Sequence, residues 1–440
     1  MIAKDEILYF MHIPKTGGTT LISLLDNNFS YDELLDVRDW RILVKKMPID
    51  FSKYRLVRGH FGYGFYHLLP KKPLFLTMLR EPVQHVISIY KHLQRPENGP
   101  ETAEYFRTHT LEEALDHPTL HHRLLNIQTR IVGIDRDELA FRTTEEKRTG
   151  AEIYDNLPER QLLRIAKKRL NEFAFIGIVE KYDESLALLS YKFEWTPIPT
   201  ATRKNVDKTE KPVLNNKIIE KIRKVTKLDR ELYEHGKVIF ERRYQAMVKA
   251  LKEEYYAAEL DGLTERQAVH KMLQEWYSDT YAHKNRLRAS LHYDFGQVLN
   301  GWGWEKRTKN PKSGIIKRWT GPETSSVIDL PLRQDKDLHL RIKLGGYMSK
   351  EILDSLEMRV NNQTQPVPLQ TVNEKGKGVI MQCMIPKDQL GWDMSFTRLT
   401  FEVKETIAPK LADPDVIDKR LLGLLFARII VSPEPFRVES

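Results

Sequence analysis

The stretch Ile7-Leu8-Tyr9-Phe10-Met11-His12-Ile13-Pro14-Lys15-Thr16-Gly17-Gly18-Thr19-Thr20 sets the reading of the chain. Its apolar first half reads as a buried strand, and the glycine pair as a tight turn at the strand's end. Leu21, Leu24 and Leu25 then recur at helical spacing until Asn27-Asn28 closes the run. A strand, a Gly-Gly turn and a helix start together make an anion site. Glycines let successive N–H groups converge, and the helix N-terminus adds partial positive charge. Lys15 brings a full charge; Thr16, Thr19 and Thr20 bring hydroxyl donors. An ordinary strand-to-helix turn with a solvated lysine would show the same pattern. A Walker A loop is excluded, because it is longer and carries its lysine after the second glycine, directly before Ser or Thr.

Two more strand ends extend this unit. Tyr54-Arg55-Leu56-Val57-Arg58 opens into Gly59-His60-Phe61-Gly62-Tyr63-Gly64, an irregular glycine-marked turn. In parallel α/β sheets the carboxyl edge is where ligands bind, which puts His60 beside the Lys15 loop. An imidazole titrates near neutrality and can take a proton from a hydroxyl. A histidine that only fills the loop is the alternative. Leu74 to Leu79 reads as a central strand, with Pro82 suited to the first turn of the helix that follows. Arg80 at the strand end and Ser88 on the helix can grip a phosphate, by guanidinium fork and by hydroxyl. A salt bridge for Arg80 and a surface role for Ser88 explain each residue equally well in isolation.

Taken in order, these segments resemble the PAPS-dependent sulfotransferases, in the branch that includes the heparan sulfate 2-O-sulfotransferases. Ile13-Pro14-Lys15-Thr16-Gly17-Gly18-Thr19-Thr20 is similar to that family's 5′-phosphosulfate loop. Arg80-Glu81-Pro82 followed by Ser88-Ile89-Tyr90 is similar to its 3′-phosphate motif, with Glu81 in place of the usual aspartate. Gly59-His60 matches the pair whose histidine is the proposed base. The resemblance implies a P-loop-like parallel sheet flanked by helices, the sulfotransferase fold. It also implies PAPS as donor, with Lys15, Thr16, Gly17, Gly18, Thr19, Thr20, Arg80 and Ser88 holding it. Lys15 and His60 then form the catalytic pair, and no metal is needed. Glu180, at the end of the Phe173–Val179 strand, is the second candidate base by analogy with tyrosylprotein sulfotransferases. Arg203 and Lys204 resemble a late Arg-Lys loop over the nucleotide, a place where a solvated basic loop fits as well.

The chain has 440 residues, a net charge of +9 and one cysteine, Cys383. That charge suits an anionic ligand such as a nucleotide or a sulfated or uronic glycan. The single cysteine allows no intrachain disulfide. The N-terminus carries no signal-like segment, and no apolar run is long enough to span a membrane. A cytoplasmic, bacterial protein with a hydroxyl acceptor, a glycan or glycoconjugate, and no nucleic-acid partner is the expectation. Past Gly301 the texture changes to short alternating runs such as Leu338–Ile342 and Leu399–Val403, with Trp302, Trp304 and Trp319 among them. These predict a C-terminal antiparallel β-sandwich. The expected domains are residues 1–250 for PAPS binding, 251–298 as a helical connector and 299–440 as the sandwich. A nucleotide-dependent phosphotransferase or kinase is the rival enzyme class, and a non-catalytic nucleotide- or glycan-binding protein the rival outside enzymes. His121-His122 pairs two histidines without a ligand partner at metal-site spacing.

Overall fold

The computed structural model describes residues 2–117, 123–135, 157–199, 214–361, 363–375, 378–390, 395–412 and 418–436. The chain divides into two compact units. One comprises Met1–Ile22, Glu33–Lys192 and Arg203–Ala250; the other comprises Ser23–Asp32, Phe193–Thr202 and Leu251–Ser440.

The first unit is built on four parallel strands, β1 (Leu8–Met11), β2 (Leu56–Gly59), β3 (Leu74–Leu79) and β4 (Phe175–Ile178), in the order β2-β1-β3-β4. Leu8 sits opposite Leu56 on one side and Leu74 on the other. All four β1 side chains are fully buried. Each contributes roughly 1.5–3 kcal/mol of hydrophobic burial, which fixes the strand that leads into the Lys15 turn. β2 begins later than the apolar pattern predicts, because Phe51–Lys53 forms a short 3₁₀ turn closed by the Tyr54 N–H on the Phe51 carbonyl.

Helices follow each strand. α1 (Gly18–Leu25) follows β1 and α2 (Pro82–Leu93) follows β3. α2 starts with Pro82 in its first turn, and the Glu81 carboxylate accepts the Gln84 N–H as its cap. Further on lie α3 (Ile127–Gly133), α4 (Glu159–Glu172), α5 (Tyr182–Phe193) and the long α6 (Lys227–Tyr255). Asp183 falls inside the first turn of α5 and not at its cap, since the 3₁₀ turn Val179–Lys181 runs straight into the helix.

The C-terminal part of the second unit carries α7 (Glu265–Lys284) and then antiparallel sheets. The larger sheet runs β12 (Gln370–Lys375), β13 (Gly378–Ile385), β10 (Leu338–Tyr347), β15 (Leu424–Ser432), β8 (Ile316–Thr320), β7 (Trp304–Lys309), with β5 (Leu291–Asp294) also paired to β15. The smaller runs β11 (Glu357–Val360), β14 (Thr397–Glu402), β9 (Ser325–Leu330), β6 (Gly301–Trp302). Leu340 and Ile342 from one sheet share a core with Ile328, Leu399 and Phe401 from the other, as alternation on both sets of strands requires. Trp304 is buried there and donates its indole N–H to the Val327 carbonyl, while Trp302 has the Arg398 guanidinium 4.9 Å from its ring.

Candidate active site

The Lys15 loop is held in an unusual shape. Lys15 has φ +64°, a left-handed conformation that bulky residues rarely adopt, and Gly17 follows at φ +73°. Thr16 is fully buried, and its hydroxyl donates to the Ile13 carbonyl at 2.8 Å. The side chain thereby helps to build the turn. Thr19 is exposed on the first turn of α1, whereas Thr20 is buried. A Cβ on Gly18 would lie 2.1 Å from the His12 ring, and one on Gly17 would lie 2.9 Å from Tyr182. No side chain fits at either position, so the turn keeps the bare backbone that a phosphate-bearing donor requires.

Arg80 follows β3 directly and donates from Nη1 to the Lys15 carbonyl at 3.0 Å. The two elements read as phosphate ligands are thereby joined. Gln128 grips the Arg80 backbone from both sides, accepting its N–H at 2.9 Å and donating to its carbonyl at 2.8 Å. Gln128 is positioned by Asp229 of α6, whose carboxylate accepts the Gln128 and Thr129 N–H groups and the Thr129 hydroxyl. Burial pushes the Asp229 carboxyl up to about 6 despite those donors. Ser88 is half-buried on α2, one turn from His85 and one turn from His92.

His60 is the residue after β2. Its N–H donates to the Arg38 carbonyl, and its Nδ1 lies 2.9 Å from the His12 carbonyl oxygen. A carbonyl only accepts, so Nδ1 carries the proton and Nε2 is left as the basic nitrogen. A Cβ on Gly59 would sit 2.5 Å from the Arg38 carbonyl oxygen, which explains the glycine before this histidine. The His60 side chain reaches solvent, yet the protein packed around it lowers its pKa. Desolvation is the main cause, with the Arg38 charge assisting and the Asp39 charge and the His12 carbonyl opposing. It is therefore neutral at pH 7 and able to accept a proton.

Three further histidines surround the loop, and the sequence reading assigned a role to none of them. The His12 ring is buried over Gly18, with its centroid 4.3 Å from that of His60; burial, and then nearby positive charge, holds its pKa well below 6.5. His85 is buried and donates from Nε2 to the Pro14 carbonyl at 2.8 Å, and desolvation brings its pKa to about 4. Its neutral ring pins the loop from below. His92 has a buried Nδ1 without a hydrogen-bond partner, and its pKa is lowered first by desolvation and then by Lys15. The run His85-x-x-Ser88-x-x-x-His92, at helical spacing, was the available signal.

Glu180 accepts the Glu81 N–H at 3.0 Å and the Tyr233 hydroxyl at 3.1 Å, one on each carboxylate oxygen. Those bonds make it a brace between α2 and α6. Arg203, Lys204 and the His121-His122 pair lie outside the described residues. Among the described residues no group of three His, Cys, Asp or Glu side chains converges for a metal ion, and no helix is long and apolar enough to cross a membrane.

A bare glycine turn beside a neutral imidazole is an arrangement that a group transferase can use. The chain belongs to the galactose-3-O-sulfotransferase family, whose model matches residues 53–325, and it is a sulfotransferase. The match takes in His60, Arg80 and Ser88; the Lys15 loop precedes it. Curated relatives are distant. Heparan-sulfate 6-O-sulfotransferase 2 of Gallus gallus is 24% identical over 56% of this chain and 70% of its own length. The Mus musculus and Homo sapiens proteins of that name are each 25% identical over 56% of this chain and 46% of theirs, so the chain spans about half the length of those relatives. The likeness thus reaches carbohydrate sulfotransferases as a group and not the 2-O branch in particular. The solved structure of a family GH115 4-O-methyl-α-glucuronidase aligns with a TM-score of 0.20 and 10% identity, over 80% of this chain and 42% of that one, which carries no argument.

Proposed function

We propose that this sulfotransferase moves a sulfuryl group from PAPS to a saccharide hydroxyl, with His60 as general base and Lys15 as the cation beside the leaving phosphate. The observation that carries the reading is the joining of three strand ends at one edge. His12 donates its N–H to the Gly59 carbonyl, His60 meets the His12 carbonyl through Nδ1, and Arg80 meets the Lys15 carbonyl. The glycine cradle at Gly17-Gly18 fits a 5′-phosphosulfate, and Arg80 with Ser88 fits the 3′-phosphate that distinguishes PAPS from ATP. PAPS, when bound, supplies the activated sulfuryl group. His60 Nε2 takes the acceptor proton as the hydroxyl oxygen approaches. The His12 carbonyl holds the imidazole in the required tautomer and stabilises the imidazolium. Lys15 opposes the charge that builds on the departing nucleotide.

The acceptor class follows from the family and from relatives that bear carbohydrate names. The Gly59-His60 pair supports a 2-O reading of the product, and the curated relatives support a 6-O one. Transfer of labelled sulfate from PAPS to N-sulfated heparosan and to galactosides, followed by NMR of the products, tests the reaction and its position together. Absence of transfer to every saccharide, with PAP still bound, would overturn the acceptor assignment.

A further inference from the structure

We infer that the outer face of the larger sheet in the β-rich unit is a binding surface for an anionic polysaccharide. This rests on the carbohydrate reading above and adds a second place on the chain where such a polymer is held. Alternation along β10 buries Leu338, Leu340, Ile342 and Leu344 and turns His339, Arg341 and Lys343 outward. Register places Arg428 of β15 opposite Lys343, and Arg428 is exposed on the same face. Lys317 of β8 reaches over Gly345, where its Nζ lies 2.6 Å from the point a Cβ would occupy. The bare glycine makes room for that ammonium. Same-face positions along a strand are about 7 Å apart and neighbouring strands about 4.8 Å apart, so Lys317, Arg341, Lys343 and Arg428 share one small field.

Three of these cations are held without a salt bridge: among the described residues Lys317, Lys343 and Arg428 form no ion pair. One acid, Asp294, stands opposite Arg428; its carboxylate accepts from the Gly296 N–H and the Gln297 amide and makes no ion pair with Arg428, leaving one negative charge against the cations of this face. The smaller sheet is arranged differently. There Arg359 is paired with Glu357 and Glu402, and Arg398 holds Asp329 at 2.7 Å. Like charges directly opposite across a ladder oppose folding; Lys343 faces Arg428 on one side and Ile380 on the other, so among its ladder partners it meets no acid, whereas Arg428 also faces Asp294. The Arg341 guanidinium lies 4.5 Å from the centre of the Phe436 ring. Trp319, two residues along β8 from Lys317 and half-buried on that face, adds an apolar ring of the kind a sugar can lie against. Repeated sulfates or carboxylates on an extended chain match this open, flat array in sign and reach.

The test uses the full chain and a fluorescent heparin dodecasaccharide, followed by polarisation over a salt series, with uncharged dextran and single-stranded DNA as comparison probes. The triple change Lys317→Ser, Lys343→Ser, Arg428→Ser should weaken heparin binding about tenfold or more. It should also flatten the logarithmic salt dependence by roughly one unit per charge removed. Lys343→Glu alone should weaken binding while keeping or raising the melting temperature, since it turns a like-charged pair into an opposite one; a merely structural lysine would not behave so. PAP affinity, read by calorimetry, should be unchanged in both variants, which separates this surface from the donor site. Heparin affinity unchanged in the triple variant, equal binding of dextran, or DNA bound as tightly as heparin would each overturn the inference. Failure of sulfate transfer with heparin binding intact would count against the reaction and not against the surface.

Discussion

His60 Nδ1 stands 2.9 Å from the carbonyl oxygen of His12, so a side chain joins the main-chain bonds between two adjacent parallel strands at the edge where the Lys15 loop begins. The consequence is chemical as well as structural. A histidine whose Nδ1–H is spent on a carbonyl keeps its Nε2 lone pair for a proton, and the bond strengthens as the ring becomes charged.

His60→Ala should therefore lower turnover by the ~10²–10⁴-fold expected for a lost general base and leave PAP affinity nearly unchanged. Because the folded-state pKa of His60 is lowered from 6.5, activity should hold through neutral pH and fall on an acid limb whose midpoint lies below 6.5. The limb should vanish in the variant. A pH–rate profile with labelled PAPS measures both, and loss of PAP binding in the variant would place His60 in the nucleotide shell instead.

Lys15→Ala should reduce turnover at saturating PAPS by roughly a hundredfold or more, the scale of about 3 kcal/mol for one charge-stabilising group. It should leave the backbone strain at φ +64° in place, since alanine tolerates that conformation no better. Lys15→Gly separates the two effects: it frees the backbone but cannot restore the charge, and its rate should stay as low. Recovery of turnover with glycine would show that conformation, not charge, is what Lys15 supplies.

Arg80→Ala should weaken PAP far more than adenosine 5′-phosphosulfate, which lacks the 3′-phosphate. A charged hydrogen bond contributes ~1.5–3 kcal/mol. The variant also loses the bond to the Lys15 carbonyl, so a smaller loss of affinity for both ligands is expected on top. Titration calorimetry with the two nucleotides reads the difference directly, and equal losses would remove Arg80 from the 3′-phosphate site.

What could be read from the chain follows from the range of the interactions. The apolar run before Lys15 and the glycine pair after it are local, and they located the loop. The alternation in Leu338–Ile342 is equally local, and it located the sandwich. His12, at the end of a buried strand, reads as packing until Gly18 is seen beneath its ring. The Thr16 bond was hidden for a related reason: a hydroxyl beside glycines suggests an anion, and only the three-dimensional turn shows it bonded to Ile13. The Gln128 and Asp229 supports were invisible, since they are separated by 101 positions in sequence and neither lies in a motif.

Asp229 yields the last prediction. It is buried, and it accepts three hydrogen bonds from the start of α3, the helix that presents Gln128 to the Arg80 backbone. Its folded-state pKa is raised to about 6 against an ordinary 3.8, so between those values the folded protein binds more protons than the unfolded one and stability falls as pH rises. The gap corresponds to roughly 3 kcal/mol, fully lost above pH ~6 and regained in acid. Asp229→Asn should remove that slope, because the amide does not titrate. Asp229→Ala should instead destabilise at every pH, since each buried N–H left unpaired costs ~1–3 kcal/mol. Urea unfolding of the three proteins from pH 4 to 7 measures both effects. If the alanine variant stays folded, its PAP affinity should drop as Gln128 loosens its hold on Arg80. A wild-type stability that is flat across pH 4–6, with the asparagine variant identical to it, would show that Asp229 is ionised as readily in the folded protein as out of it.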